Sequence, residues 1–288
     1  MKVLILLFSG TGNTELVTRK YEEELLKLNI DTTILKMEEI DSSFDVSEYD
    51  RIGFAYPVHG FNAPKIVLER AKLLVNKDNK DAFTIMVSGE PLNLNHSSSW
   101  RLSQILKKKN IFIKSEYHYV MPYNMIFRHT EARAFEMFDV MCKLVPLDVK
   151  DYFVLNKENH LKKVFLGSFY ASIVRIEQPA APFIGKFYRV NMKKCVKCMK
   201  CVNSCPRGNI VFTGDKFKFK NNCLICTRCS FNCPQDAFNI GILNAWRVNK
   251  PYQFKKTDIE EIDKHKKYCR KAYLRYFSEA KKRIEESN

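Results

Sequence analysis

Val3-Leu4-Ile5-Leu6-Leu7-Phe8 runs straight into Ser9-Gly10-Thr11-Gly12-Asn13-Thr14, and Glu15–Leu28 follows with Leu16, Val17, Tyr21, Leu25 and Leu28 at helical spacing. An unbroken apolar run suits a strand buried on both faces. The three pieces read as a strand, a small hydroxyl-rich loop and a helix. Such a junction builds an anion site. Glycines let the backbone approach closely, hydroxyls donate hydrogen bonds, and the helix N-terminus attracts negative charge. A Walker loop ends in lysine, and this loop has none. A dinucleotide fingerprint needs a third glycine where this chain has Glu15. Ser9, Thr11 and Thr14, with no lysine or arginine among them, suit a phosphate monoester held by neutral donors. A dinucleotide, or no ligand at all, stays as the alternative.

Outward from this junction the same rhythm repeats. Strands are expected at Thr32–Met37, Arg51–Tyr56, Asp81–Ser88 and Phe112–Val120, with helices at Pro64–Val75 and Ser98–Lys109 between them. Alternating strands and helices imply a parallel sheet covered on both faces, which binds ligands beyond the carboxyl ends of its strands. That rule nominates Pro57-Val58-His59-Gly60-Phe61-Asn62 and Ser88-Gly89-Glu90-Pro91 as further binding loops. Tyr56, His59, Phe61 and Trp100 are the aromatic candidates for stacking on a ring held there.

Eight of the ten cysteines form an internal repeat: Cys195, Cys198, Cys201 and Cys205 recur 28 residues later as Cys223, Cys226, Cys229 and Cys233. Each run reads C-x2-C-x2-C-x3-C-P, closed by Pro206 and Pro234. This is the spacing of two-cluster bacterial iron–sulfur domains. Three cysteines at short intervals wrap one corner set of an iron–sulfur cube, and backbone N–H groups of the loop can face the sulfurs. The fourth is directed to the other cube. Cys195, Cys198, Cys201 and Cys233 are therefore assigned to one [4Fe–4S] cluster, and Cys205, Cys223, Cys226 and Cys229 to a second. Structural zinc sites use two ligand pairs across a longer loop, which these triplets do not match. The absence of a recognisable export signal or irregular cysteine spacing argues against a disulfide framework and for a reducing, cytoplasmic setting. Cys142 and Cys269 read as ordinary buried thiols.

Taken together the layout resembles the fusion of a flavodoxin-like domain with a bacterial-type two-[4Fe–4S] ferredoxin domain. The resemblance rests on Phe8–Thr14, Tyr56-Pro57-Val58-His59-Gly60, Phe187-Tyr188 and the two cysteine runs, and it spans roughly residues 1–240. It implies flavin mononucleotide (FMN), with its phosphate cradled by Ser9 to Thr14 and its ring flanked by Pro57–Phe61, Ser88 and Gly89. Thr18 departs from it, standing where a small alanine is common. The implied fold is α/β: a doubly wound parallel five-stranded sheet, then a small α+β cluster domain and a helical tail. The expected divisions are 1–150 for the FMN-binding domain, 151–188 for a helical linker, 189–245 for the two-cluster domain and 246–288 for a basic helical tail.

A chain of 288 residues with 45% hydrophobic content is long enough for two domains and too apolar to be disordered, and it lacks a run long enough to span a membrane. Its net charge of +16 lies wholly in the second half: residues 1–150 hold 20 Lys+Arg against 20 Asp+Glu, whereas residues 151–288 hold 28 against 12. Anionic clusters and a flavin phosphate offset part of this surplus. The rest points to a redox partner protein with an acidic docking face. Nucleic acid is disfavoured, because the basic residues are not interleaved with aromatics in a reading motif. Leu161, Val164, Phe165, Phe169 and Ile173 are expected to share a helix face packed between the domains. Ala132, Phe135, Phe138 and Cys142 are expected to share another. Gln178-Pro179-Ala180-Ala181-Pro182 reads as a boundary. Cys269, Tyr273, Tyr276, Phe277 and Ala280 predict a tail helix whose basic side, with Lys264, Lys266, Lys267, Arg270 and Lys271, faces outward. The function expected is single-electron transfer, with no acid–base residue required because the cofactors do the chemistry. A flavin-dependent iron–sulfur oxidoreductase of a small acceptor, and a nucleic-acid-binding or regulatory protein with structural clusters, are the alternatives.

Overall fold

The structure is a computed structural model. It describes residues 1–174, 177–256, 265 and 267–287, without the side chains of Ser168 and Glu177. Lys264 and Lys266 lie outside the described residues.

Five parallel strands form the main sheet: β1 (Lys2–Leu7), β2 (Asp31–Lys36), β3 (Arg51–Pro57), β4 (Lys80–Ser88) and β5 (Ile111–Val120), in the order β2-β1-β3-β4-β5. That is the flavodoxin-like order, with its switch point between β1 and β3. The apolar run of β1 divides by alternation. Val3, Ile5 and Leu7 enter one core with Val17, Tyr21 and Leu25 of α1 (Asn13–Lys27). Leu4, Leu6 and Phe8 enter another with Ile66, Val67 and Ala71 of α2 (Lys65–Leu73) and Leu102 and Leu106 of α3 (Trp100–Lys107). Both faces of the sheet are thus covered, as a doubly wound fold requires.

The expected strands and helices agree with these to within a few residues at each end. The second expected helix loses its last two residues because Leu74–Val75 turn into a short parallel pair with Phe44–Asp45. The third starts later because Asn93–Ser99 form a 3-10 segment first.

Beyond the sheet, α4 (Glu131–Val149) packs on α1. Its buried residues are Ala134, Met137, Met141, Leu144, Val145, Asp148 and Val149, not the expected face, and Ala132 is exposed. Phe138 and Cys142 only flank the core, because the methionines one residue away fill it.

The linker differs more. Residues 161–164 are not helical, and α5 (Gly167–Val174) buries Ala171 instead of its aromatic face. Phe165, Phe169 and Ile173 are 88%, 57% and 58% exposed, so the expected interdomain face does not pack between domains. Gln178–Pro182 lies inside α6 (Glu177–Gly185) and is not a break. Pro179 falls in the first turn, where a missing N–H costs nothing. Gln178 Nε2 donates to the Ala63 carbonyl at 3.0 Å, which ties α6 to the sheet domain.

The cysteine region is built from two short antiparallel pairs and two one-turn helices. β6 (Arg189–Val190) pairs with β9 (Phe238–Asn239), and β7 (Ile210–Phe212) with β8 (Phe217–Phe219). The one-turn helices are α7 (Lys200–Asn203) and α8 (Arg228–Phe231). Tyr188, Ile210, Phe238, Ile240 and Leu243 fill a small core between them.

The chain then returns to the sheet domain. Ile126 N–H donates to the Trp246 carbonyl at 2.6 Å, and Tyr252 Oη donates to the Tyr123 carbonyl at 2.7 Å. The tail helix α9 (Arg270–Glu285) buries Tyr273 and Ala280 against α4 and β5. Among the described residues no helix is long and apolar enough to cross a membrane.

Candidate functional site

A cavity of about 560 Å³ opens at the carboxyl ends of the strands. Ser9, Gly10, Thr11, Asn13 and Thr14 line it, with Pro57–Phe61, Ser88 and Gly89. Gly12 is not among the lining residues; it caps α1 at φ 108°, a left-handed conformation that favours glycine. Ser9 Oγ accepts the N–H groups of Gly12 at 3.1 Å and Glu15 at 3.4 Å, which closes the loop over the helix N-terminus. Asn13 Nδ2 donates to the Pro122 carbonyl at 2.7 Å, and Asn124 Nδ2 donates to Thr11 Oγ1. Thr18, the departure from family habit, is buried and donates its hydroxyl to the Thr14 carbonyl at 2.8 Å, so it is satisfied in place.

The loop after β3 is a tight turn in which His59 and Asn62 exchange backbone hydrogen bonds at 2.9 Å, with Gly60 at φ 51° and Phe61 at φ 61°. His59 and Phe61 line the cavity. Tyr56 is fully buried in the core beneath it, and Trp100 is exposed at the start of α3, so neither of those expected ring partners reaches it.

Three walls were not anticipated. One is Met121–Ile126, the segment after β5. The carboxyl-end rule that nominated the loops after β3 and β4 applies equally there. The second is the cysteine loop Leu224–Thr227 with Gln178, Ala181 and Ile184 of α6. The third is Leu243, Trp246 and Tyr268 from beyond the cysteine region. No local pattern announces the second and third, since they arrive by the folding-back of distant chain.

Neutral hydroxyl and amide groups at the loop end, with apolar and aromatic side chains elsewhere, fit a phosphorylated flavin. Burial holds His59 well below its ordinary range, at about 4, and His118 at about 3. A depressed histidine binds its proton less readily folded than unfolded, so its stability contribution is complete above about pH 6.5 and shrinks as pH falls. We therefore expect urea midpoints to drop between about pH 6.5 and pH 4. His118→Gln should flatten that slope, and an unchanged slope would count against it.

The cysteines fall into two groups. Cys195, Cys198, Cys201 and Cys233 line one small cavity, and Cys205, Cys223, Cys226 and Cys229 line another. None is in a disulfide. Among the described residues no three His, Cys, Asp or Glu side chains converge tightly enough for a single metal ion; the thiols surround small cavities instead.

The sequence repeat is a structural repeat at the level of single dihedrals. Lys197 and Met199 have φ of 53° and 57°, and Ile225 and Thr227, 28 residues on, have 52° and 53°. These turns aim the N–H of Lys197 at Cys195 Sγ and that of Ile225 at Cys223 Sγ, both at 3.4 Å. Asn209 and Ala237 do the same for Cys205 and Cys233, at 3.3 and 3.4 Å. Backbone donors to sulfur are what anionic cluster thiolates need, and the fit to iron–sulfur cubes is good. Burial raises the Cys201 and Cys226 thiols to about 11 and about 12. Cys142 and Cys269 stand outside both groups and are half-buried.

The two sites touch. A Cβ on Gly10 would stand 2.6 Å from the Cys226 carbonyl oxygen. Arg228 reaches between them: Nη2 donates to the Ser9 carbonyl at 2.6 Å, and Nη1 donates to the Ser204 carbonyl at 2.8 Å and pairs with Glu38 at 2.7 Å.

Residues 188–211 match the family model of a 4Fe-4S binding domain. No curated protein sequence matches the chain. Among solved structures, flavodoxin 1 from Bacillus cereus aligns at 12% identity with a TM-score of 0.36, covering 52% of this chain and 98% of its own. An azoreductase from Bacillus anthracis aligns at 10% identity with a TM-score of 0.37, covering 52% of this chain and 99% of its own. The strand order and the two buried faces of the sheet carry the fold assignment. The protein is thus a flavodoxin-like α/β domain continued by a 4Fe–4S region and a C-terminal helix. The 4Fe–4S region supports a redox role.

Proposed function

We propose that the chain passes single electrons between FMN, two [4Fe–4S] clusters and a redox partner protein. Its parts divide at 1–150, 151–188, 189–245 and 246–288. Ser9, Thr11, Asn13 and Thr14 hold the flavin phosphate, and Pro57–Phe61 with Ser88 and Gly89 flank the ring. When bound, the flavin exchanges electrons in pairs or singly, and each cluster exchanges one. The observation that carries this reading is that the phosphate loop and the loop of Cys226 line one cavity. Cys205, Cys223, Cys226 and Cys229 then hold the cluster nearer the flavin, and Cys195, Cys198, Cys201 and Cys233 hold the farther one.

The farther cluster is the exit. Cys198 is exposed, and Lys193, Lys194, Lys197 and Lys200 are exposed on the same segment. By contrast Arg207, Arg228, Arg247 and Arg283 are spent on internal pairs with Glu69, Glu38, Asp236 and Asp148. The outward charge on that segment is therefore lysine, which suits an acidic partner that docks and leaves quickly.

Anaerobic reconstitution followed by iron, sulfide and flavin analysis tests the reading. We expect about eight irons and one FMN per chain. Four irons, or a chain that binds no flavin, would overturn it.

A further inference from the structure

We propose that Glu90 is the proton donor of the cavity, supplied from solvent through Tyr123 and Tyr268, so that the group reduced there gains hydrogen along with electrons. This deepens the flavin reading above and rests on it.

Glu90 follows β4, and its side chain lines the cavity beside Ser88, Gly89 and Asn95. Tyr123 Oη donates to Glu90 Oε2, and Tyr268 Oη stands 3.2 Å from Tyr123 Oη. Tyr268 is 39% exposed. The three hydroxyl and carboxyl groups form a hydrogen-bonded file along the cavity wall that ends at the exposed Tyr268, contributed by the β4 loop, the segment after β5 and the tail.

Among the described residues no ion pair reaches Glu90, and Asn95 Nδ2 is its other side-chain neighbour, at 3.4 Å. Several groups face this path. Cys269 and Tyr273 adjoin it from the tail, with Tyr273 Oη donating to the Gly89 carbonyl. His129 stacks on Tyr123 at 5.7 Å, and His265 stacks on Phe127. Arg275 reaches Asn93 Oδ1 at 2.8 Å, and His118 Nε2 meets Ser88 Oγ at 2.7 Å. Burial raises Glu90 above its ordinary range, against the opposing hydrogen bonds from Tyr123 and Asn95. Glu90 is half-buried and has hydrogen bonds but no ion pair, so its ionised form is disfavoured there.

Clusters deliver electrons without protons. Were a bound flavin reduced by two electrons, one from each cluster, Glu90 would supply the one proton needed at a ring nitrogen, its O–H bond breaking as that N–H bond formed. The carboxylate recovers a proton from Tyr123, Tyr123 from Tyr268, and Tyr268 from water. The net change is two electrons and one solvent proton, with the three side chains restored.

The test uses the full chain with FMN bound, reduced in a stopped-flow instrument in H2O and D2O across pH. We expect Glu90→Gln to slow flavin reduction about 100-fold. It should also abolish the solvent isotope effect and flatten the pH profile, both read at saturating FMN. Tyr123→Phe should give the same signature, and Tyr268→Phe a weaker one. In the flavin-free chain, a protonated carboxyl band in the infrared at neutral pH should disappear in Glu90→Gln. If Glu90→Gln does not fold or bind FMN, Tyr123→Phe decides by its isotope effect. Wild-type rate, pH profile and isotope effect in variants that bind FMN would overturn the proton donor alone. A wild-type chain that binds no FMN would overturn the flavin reading and this one together.

Discussion

Gly10→Ala should strip the protein of most of its flavin and disturb the cluster region, although it adds a single methyl group. The methyl would stand 2.6 Å from the carbonyl oxygen of Cys226 and 3.4 Å from its Cβ. A flexible side chain could swing away, but a backbone carbonyl cannot move without the loop that carries Cys223, Cys226 and Cys229. Overpacking of this kind costs about 1–3 kcal/mol. If the loops part to relieve it, that energy is drawn from the cavity they both line. A loss of about 1.4 kcal/mol is a tenfold loss of affinity, so flavin binding should weaken by about tenfold or more. Gly12→Ala is the informative control. It clashes with nothing within 4 Å but has φ +108°, so it should strain the phosphate loop without touching the clusters. Flavin titration by fluorescence and cluster absorbance distinguish the two. Wild-type flavin affinity with an unaltered cluster spectrum in Gly10→Ala would refute the shared wall.

This contact also shows where sequence reading stops. Val3–Phe8 and the loop after it declared a buried strand and an anion site because their periodicity and small residues are local properties. The cysteine repeat declared its two cluster loops for the same reason, and the structure repeats them down to the dihedrals of Lys197 and Ile225. Gly10 was legible as a residue needing close approach, but not what approaches. Its neighbour is Cys226, more than 200 residues away, and no periodicity encodes that. The linker failed differently. Leu161, Val164, Phe165, Phe169 and Ile173 have helical spacing, yet spacing cannot tell whether a face finds a partner, and Phe165 stands exposed. The tail was legible as a helix with an apolar stripe. Its return to the first domain was not, because Arg283 reads as one more outward basic residue until Asp148 is placed beside it.

Arg283→Ala should therefore destabilise the whole sheet domain, not merely fray the tail. Arg283 Nη1 pairs with Asp148 Oδ1 at 2.5 Å, and Nη2 with Asp151 Oδ2 at 2.9 Å. Asp148 is buried on α4, and its other oxygen accepts from Tyr119 Oη, which lies 2.7 Å from Tyr21 Oη of α1. Three elements and the tail thus converge on one carboxylate. Removing a partner from a buried pair costs about 3–5 kcal/mol, chiefly through the uncompensated charge left behind. The Arg283 side chain is 40% exposed and water can partly replace it, so about 2–3 kcal/mol is expected. Urea unfolding gives the value. In an Asp148→Asn background the same change should cost under about 1 kcal/mol, leaving a coupling of about 2 kcal/mol. Burial already raises Asp148, and Arg283 opposes that rise. Without the guanidinium the carboxyl accepts a proton at still higher pH, which removes the stranded charge. The deficit of Arg283→Ala should be full above the raised Asp148 range and should narrow as pH falls through it. Equal penalties in both backgrounds, or a deficit indifferent to pH, would mean that the arginine only packs.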